Sequence, residues 1–154
     1  MQHNIIIAGV GGQGILSIAK AISGAAVDRG LHVKQAEVHG MSQRGGAVQS
    51  HLRVSDEPIH SDLVPSGRVG LLIAVEPLEA LRYVHLLASD GVVVASANAF
   101  ANIGNYPPVE QVIVPHTRAA KLCTVPNWTS SPPVKGPSPQ AIPSLETPRK
   151  LPLA

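Results

Sequence analysis

The chain of 154 residues is long enough for one domain with a hydrophobic core and too short for two comfortable ones. Its 44% hydrophobic and 14% charged content is globular rather than disordered, and with only 3% aromatics the core must be aliphatic. Seven Lys and Arg stand against nine Asp and Glu before Pro115, and five against one from there on. The folded part is therefore slightly acidic and lacks the basic stripe that nucleic-acid binding requires.

A single cysteine, Cys123, excludes an internal disulfide framework and any iron–sulfur cluster held by this chain's own thiolates, which usually number four. The opening Met1-Gln-His-Asn has no basic signal region, and the apolar run behind it is too short to span a bilayer. A cytoplasmic protein with no membrane contact is expected.

Ile5 to Val10 is a short, β-branched run, the pattern of a strand buried on both faces of a parallel sheet. From Gly14 the apolar residues Ile15, Ile18, Ala19, Ile22, Ala25 and Ala26 recur at helical spacing, and Gly30 is placed to end that helix. Leu31 to Val38 reads as a second strand, so the first 38 residues form a βαβ unit. Residues His39 to Gly46 have no period and three glycines, which predicts a loop. Ala47 to Val54 alternates and is expected as a half-exposed strand at an edge. Gly70 to Val75 is a further apolar strand. Pro77 then opens a helix bearing Leu78, Leu81, Val84 and Leu87, and Asp90-Gly91 turns the chain into a strand over Val92 to Ala95.

Nine prolines fall from Pro115 onward, against five in the preceding 114 residues, and no packed element is expected at that density. No two prolines are three apart, so the tail carries no PxxP ligand motif. The expected fold is an α/β, doubly wound, Rossmann-like domain with a mainly parallel sheet over residues 1–114, truncated, followed by a disordered Pro/Ser-rich tail over 115–154.

Chemistry concentrates at Gly9-Val-Gly11-Gly12-Gln13-Gly14, a G-x-G-x-x-G turn directly after a buried strand and opening a helix. The first glycine permits the tight turn, the second lets backbone approach a ligand, and the third allows helix to pack on strand. Free N–H groups and the positive end of the helix dipole favour an anion there, by roughly 0.3–1 kcal/mol per charge. A turn that merely closes the βαβ unit is the bland alternative. Glu37, 23 residues past Gly14, stands where an NAD protein holds its ribose-binding acid, and equally reads as a strand-end carboxylate in solvent or paired with Arg44. The following loop presents His39, Ser42, Gln43 and Arg44 beside the carboxyl end of the second strand, where Arg44 can clamp a phosphate or carboxylate and Gln13 and Gln43 can add neutral hydrogen bonds. His39, His51 and His60 match no metal-ligand spacing and read as separate surface residues. Glu76 and Glu79 at a helix start read as dipole complements rather than an acid/base pair. Neither a metal site nor a catalytic residue is expected.

Gly-Val-Gly-Gly-Gln-Gly at 9–14, Glu-Val-His-Gly-Met-Ser-Gln-Arg-Gly-Gly at 37–46 and Glu-Pro-Leu-Glu-Ala-Leu-Arg at 76–82 together resemble the gamma domain of 2-oxoacid:ferredoxin oxidoreductases. The likeness is nearest to the beta subunit of indolepyruvate ferredoxin oxidoreductase and covers about residues 4–110. The resemblance implies an accessory subunit in the oxidative decarboxylation of a 2-oxoacid, expected to be an arylpyruvate, to an acyl-CoA. It implies a catalytic partner subunit bearing thiamine diphosphate, magnesium and iron–sulfur clusters, with coenzyme A as co-substrate and ferredoxin as acceptor. It also implies that the glycine turn and the Ser42-Gln43-Arg44 loop face that partner near its coenzyme A and thiamine sites. The chain itself has no Gly-Asp-Gly diphosphate–magnesium motif and no cysteine cluster, so it binds neither redox cofactor alone and is expected to be inactive in isolation. A small standalone nucleotide-binding module of the NAD type is the rival reading. The likeness stops near Pro115, where a frameshifted or truncated product is suspected.

Overall fold

The computed structural model describes residues 1–40, 45–100, 104–108 and 111–112, and the backbone of 121–125. In chain order the elements are β1 (Gln2–Val10), α1 (Ile15–Val27), β2 (His32–His39), β3 (Ala47–Ser55), β4 (Val69–Ala74), α2 (Pro77–Tyr83) continuing into a 3₁₀ turn (Val84–Leu86), β5 (Leu87–Ser96) and β6 (Lys121–Val125). They form one six-stranded sheet in the order β2-β3-β1-β4-β5-β6. β1, β4, β5 and β6 pair in parallel, and β3 runs antiparallel to both its neighbours. Five of the six strands therefore point the same way, and the sheet is mainly parallel as expected.

Alternation along β1 builds two cores. Ile5 and Ile7 face α1 and pack with Ile15, Ala19, Ala26, Leu52 and Val54. Ile6 and Ala8 face the other way and pack with Leu72, Ala74, Val93 and Ala95, on the side that carries Ala80 of α2. A strand read from its continuous apolar run is thus buried on both faces, with helices on opposite sides of the sheet. Ile6 and Ile7 are both fully enclosed, and each contributes about 1.5–3 kcal/mol by burial. α1 ends where Gly30 predicts: at φ 73 it donates its N–H to Val27 O, while the Leu31 N–H reaches Ala26 O, a Schellman closure.

Three local expectations change. β2 does not pair with β1, because β3 lies between them. β3 is correspondingly interior rather than an edge strand, and β2 takes the edge. The polar face of β3 is compatible with an interior place because the loop before β4 supplies backbone partners to His51 and Arg53, while Gln49 Oε1 stays buried without a partner among the described residues. His51 Nδ1 accepts from the Val64 N–H at 3.1 Å, and Arg53 donates to Ser61 O at 2.9 Å. Thirdly, Asp90-Gly91 makes no turn but falls inside β5, at a pairing irregularity where the register jumps from Val69–Leu87 to Leu71–Val92. A Cβ on Gly91 would stand 2.8 Å from Val69 O, so the close approach of backbone requires glycine there.

The composition boundary at Pro115 does not mark the end of the sheet. β6 lies beyond it, paired with β5 from Val92–Lys121 to Ser96–Val125. Apart from β6, the tail read as disordered over 115–154 falls outside the described residues.

Candidate functional site

The glycine turn sits at the carboxyl end of β1, at the switch point where connections leave β1 and β4 for opposite faces of the sheet. Its backbone is tied down at three points. The Gln13 N–H donates to Val10 O at 3.1 Å, the Val10 N–H donates to Gln13 Oε1 at 2.8 Å, and the Gly11 N–H donates to Gly46 O at 2.8 Å. The last bond fastens the residue that follows the polar loop directly to the turn.

The glycines divide their work differently from the expected assignment. Gly12 and Gly14 have φ of 99° and 81°, in the left-handed region that a side chain disfavours. A Cβ on either would meet nothing within 4 Å, so Gly14 serves the turn rather than helix packing. Close packing falls to Gly9, whose Cβ would lie 2.5 Å from Ile15 Cδ1 and 2.9 Å from Gln13 Oε1.

Gly14 caps α1 with no side-chain hydrogen bond, and its carbonyl accepts from the Ser17 and Ile18 N–H groups. Among the described residues, the N–H groups of Gly12, Gly14, Ile15 and Leu16 have no hydrogen-bond partner. They border a groove of about 440 Å³ lined by Val10, Gly11, Gly12, Gly14, Ile15, Leu16, Ser17, His39 and Val48. Unpaired amides at a helix start, open to solvent, are what a phosphate or carboxylate requires.

Gly9, Gly11, Gly12, Gln13 and Gly14 therefore come together, with the Gln13 oxygen committed to the turn itself. Glu37 does not join them. Its side chain is exposed and accepts from Gln35 Nε2 at 2.8 Å. With β3 interposed, β2 lies two strand spacings from β1, about 10 Å, which undercuts a ribose-binding role beside the turn. Ser42, Gln43 and Arg44 lie outside the described residues. His39 and Gly46, which flank that loop, both meet the turn, His39 as a groove wall and Gly46 through its carbonyl. Ser17 and Val48, also on the wall, carried no motif signal.

His51 is buried at 7% exposure rather than on the surface. Burial lowers its pKa, against the opposing pull of Asp62. Glu76 is 2% exposed and caps α2 by accepting from the Glu79 N–H at 3.0 Å, in keeping with its reading as a helix-start carboxylate. Its other oxygen accepts from the Tyr106 hydroxyl, a partner thirty residues away that no local pattern reveals. Glu79 is nearly as buried. Burial raises its pKa despite Arg82, whose Nε stands 3.1 Å away. Burial, and then the hydrogen bond to the Glu76 carboxylate, push the Tyr106 hydroxyl well above its ordinary value.

Comparison with known proteins gives this geometry a family. Residues 4–129 match the family described as Pyruvate ferredoxin/flavodoxin oxidoreductase. The chain is 40% identical over 119 residues to the indolepyruvate oxidoreductase subunit IorB of Archaeoglobus fulgidus, covering 73% of this chain and 58% of that protein. It is 38% identical over 117 residues to the subunit of the same name from Pyrococcus horikoshii, covering 72% and 57%. The chain thus spans less than two thirds of these relatives. Among solved structures, the pyruvate oxidoreductase subunit PORC of Thermotoga maritima superposes with a TM-score of 0.58 at 19% identity, over 80% of this chain and 61% of that one. The 2-oxoglutarate:ferredoxin oxidoreductase of Magnetococcus marinus, whose structure holds 2-oxoglutarate, coenzyme A and succinyl-CoA, superposes with a TM-score of 0.59 at 18% identity, over 79% of this chain and 19% of that one. At such identity these two superpositions speak for the fold. The match across residues 4–129 establishes that this chain belongs to the pyruvate ferredoxin/flavodoxin oxidoreductase family.

Proposed function

We propose that this chain is an accessory subunit of a 2-oxoacid:ferredoxin oxidoreductase, with indolepyruvate or a related arylpyruvate as substrate, and that its glycine turn is the surface it presents toward a catalytic subunit and coenzyme A. The observation that carries the reading is the open groove with four unpaired amides at the start of α1, in a chain whose curated relatives are named as subunits of such oxidoreductases. Gly12, Gly14, Ile15 and Leu16 have the free donors to hold a diphosphate by backbone alone. With one cysteine in 154 residues, the thiamine and iron–sulfur chemistry falls to partner subunits, which would oxidise the 2-oxoacid and pass electrons to ferredoxin. What this chain supplies is position: a fixed anion-binding wall that orients one reactant.

The test is reconstitution with a thiamine- and cluster-bearing catalytic subunit. Gly11→Val, which places a side chain in the groove, is expected to leave the far-ultraviolet spectrum intact while reducing complex formation or coenzyme A-dependent turnover at least tenfold. An assembled complex with unchanged turnover would overturn the role of the turn. Tight NAD binding by the lone chain would favour a standalone nucleotide module instead.

A further inference from the structure

Val10, the last residue of β1, is 3% exposed, so its N–H and carbonyl need partners within the protein. The two backbone groups of a strand residue point to one side, and the side alternates along the chain. The Gly11 N–H goes to Gly46 O on the β3 side, whereas the Ala8 carbonyl accepts from the Val75 N–H, at the end of β4, at 2.9 Å. Val10, two residues beyond Ala8, therefore faces β4. The parallel register that pairs Ala8 with Ala74 would set Val10 opposite Glu76, with its N–H on Val75 O and its carbonyl facing residue 77. Residue 77 is a proline with no N–H to give, and at Glu76 the chain is already turning into α2. β4 cannot serve Val10.

Gln13 takes that place. Its backbone N–H donates to Val10 O at 3.1 Å and its side-chain Oε1 accepts from the Val10 N–H at 2.8 Å, the two bonds that a ladder partner would make. The carboxamide runs through the space a Gly9 side chain would fill, since a Cβ there would stand 2.9 Å from Gln13 Oε1. Gln13 does not line the glycine groove, although Gly12 and Gly14 on either side of it do. The Gly14 N–H belongs to the peptide plane that follows Gln13, so a residue fastened by both backbone and side chain fixes the direction of an amide on the groove wall.

We propose that Gln13 is a positioning residue, a stand-in for β4 that closes the ladder at Val10 and thereby holds the amides of Gly12, Gly14, Ile15 and Leu16 open to the groove, without itself contacting the ligand. The absent side chain of Gly9 gives the carboxamide its room. The inference rests on the reading of that groove as an anion site, and the experiment separates the two.

The experiment follows the backbone amides of the full chain by NMR, with inorganic pyrophosphate as the probe, in the wild type, Gln13→Leu and Gln13→Glu. In the wild type pyrophosphate is expected to displace the amide signals of Gly12, Gly14, Ile15 and Leu16. In Gln13→Leu the Val10 amide is left buried without an acceptor and is expected to exchange with solvent about tenfold faster or more. The pyrophosphate dissociation constant should rise by about tenfold, while the signals of Ile6 and Ile7 keep their positions. Gln13→Glu keeps an acceptor oxygen and is expected to retain the protection of Val10. Val10 exchange unchanged in Gln13→Leu, or lost equally in Gln13→Glu, would overturn the proposal. Weaker binding in Gln13→Leu with Val10 still protected would make Gln13 a ligand contact, and faster Val10 exchange with unaltered affinity would refute the positioning role. A wild type that binds no pyrophosphate would refute the anion reading of the groove, with Val10 exchange still deciding whether Gln13 replaces β4.

Discussion

Two glycines of one turn offer contrasting experiments. At Gly12 an added methyl meets open space but must adopt φ near 99°, so Gly12→Ala is expected to cost about 1–2 kcal/mol of unfolding free energy through backbone strain alone. At Gly9 the backbone is unstrained and the neighbour is the obstacle, since Ile15 is buried and its Cδ1 occupies the place of the new Cβ. Gly9→Ala is expected to cost about 1–3 kcal/mol by overpacking and to loosen the first turn of α1. Urea denaturation of both variants, with hydrogen exchange on Ser17 to Ala19, separates the two causes, and protection lost only in Gly9→Ala is the expected pattern.

His51 adds a pH dependence at the same scale. Its folded pKa lies below its unfolded value of 6.5, so the native state prefers the neutral ring and the unfolded state binds the proton more readily. Stability is therefore expected to fall as pH drops through about 6.5. Glu79 has the opposite sign: its raised folded pKa makes ionisation costly, and stability is lost as pH rises above the ordinary carboxylate range of 4.5. Urea midpoints measured between pH 4 and 8, about one unit apart, check both. The loss between pH 7 and 5.5 should flatten in His51→Gln, whose side-chain oxygen can still accept from Val64. The loss above 4.5 should flatten in Glu79→Gln.

At the scale of elements, α2 is short and owes its placement to Glu76. One carboxylate oxygen caps the helix and the other anchors Tyr106, so the residue ties the end of β4, the start of α2 and the segment around Tyr106 together. Glu76→Ala removes the cap and leaves a partly buried hydroxyl without its acceptor, an expected loss of about 2 kcal/mol. Tyr106→Phe removes only the hydroxyl and should lose about half as much. Equal losses in the two variants, read from urea denaturation, would show that the cap contributes nothing. The Glu-Pro pair announced the helix start, because an acceptor followed by proline at the first helical position is a local pattern. The Tyr106 contact was invisible, because it depends on how the chain returns after β5.

β3 shows the same limit. Its alternation of Val48, Ser50, Leu52 and Val54 against Gln49, His51 and Arg53 is that of a strand with one wet face. In the fold a loop supplies backbone partners to His51 and Arg53 of that face, and the strand lies inside the sheet. Periodicity reports polarity, whereas burial depends on what is laid over it.

Across the whole molecule, the glycine groove, walled by Ile15, Leu16 and Ser17, and an apolar cavity of about 250 Å³, walled by Ile18 and by Ile73, Val75 and Val94 of the sheet, both border α1. Among the described residues no helix is long and apolar enough to cross a membrane.

The residue order alone determined the two-sided burial of β1, the glycine turn, the span of α1 with its Gly30 stop, and the helix start at Pro77. Each follows from short-range chemistry: apolar period, allowed φ, and missing or surplus hydrogen-bond groups. Tertiary structure alone decided that β3 separates β1 from β2, that Glu37 stays out of the groove, and that β6 extends the sheet past Pro115. Those outcomes depend on strand order, and strand order is set by which faces can be covered simultaneously, a condition that no local window of the chain contains.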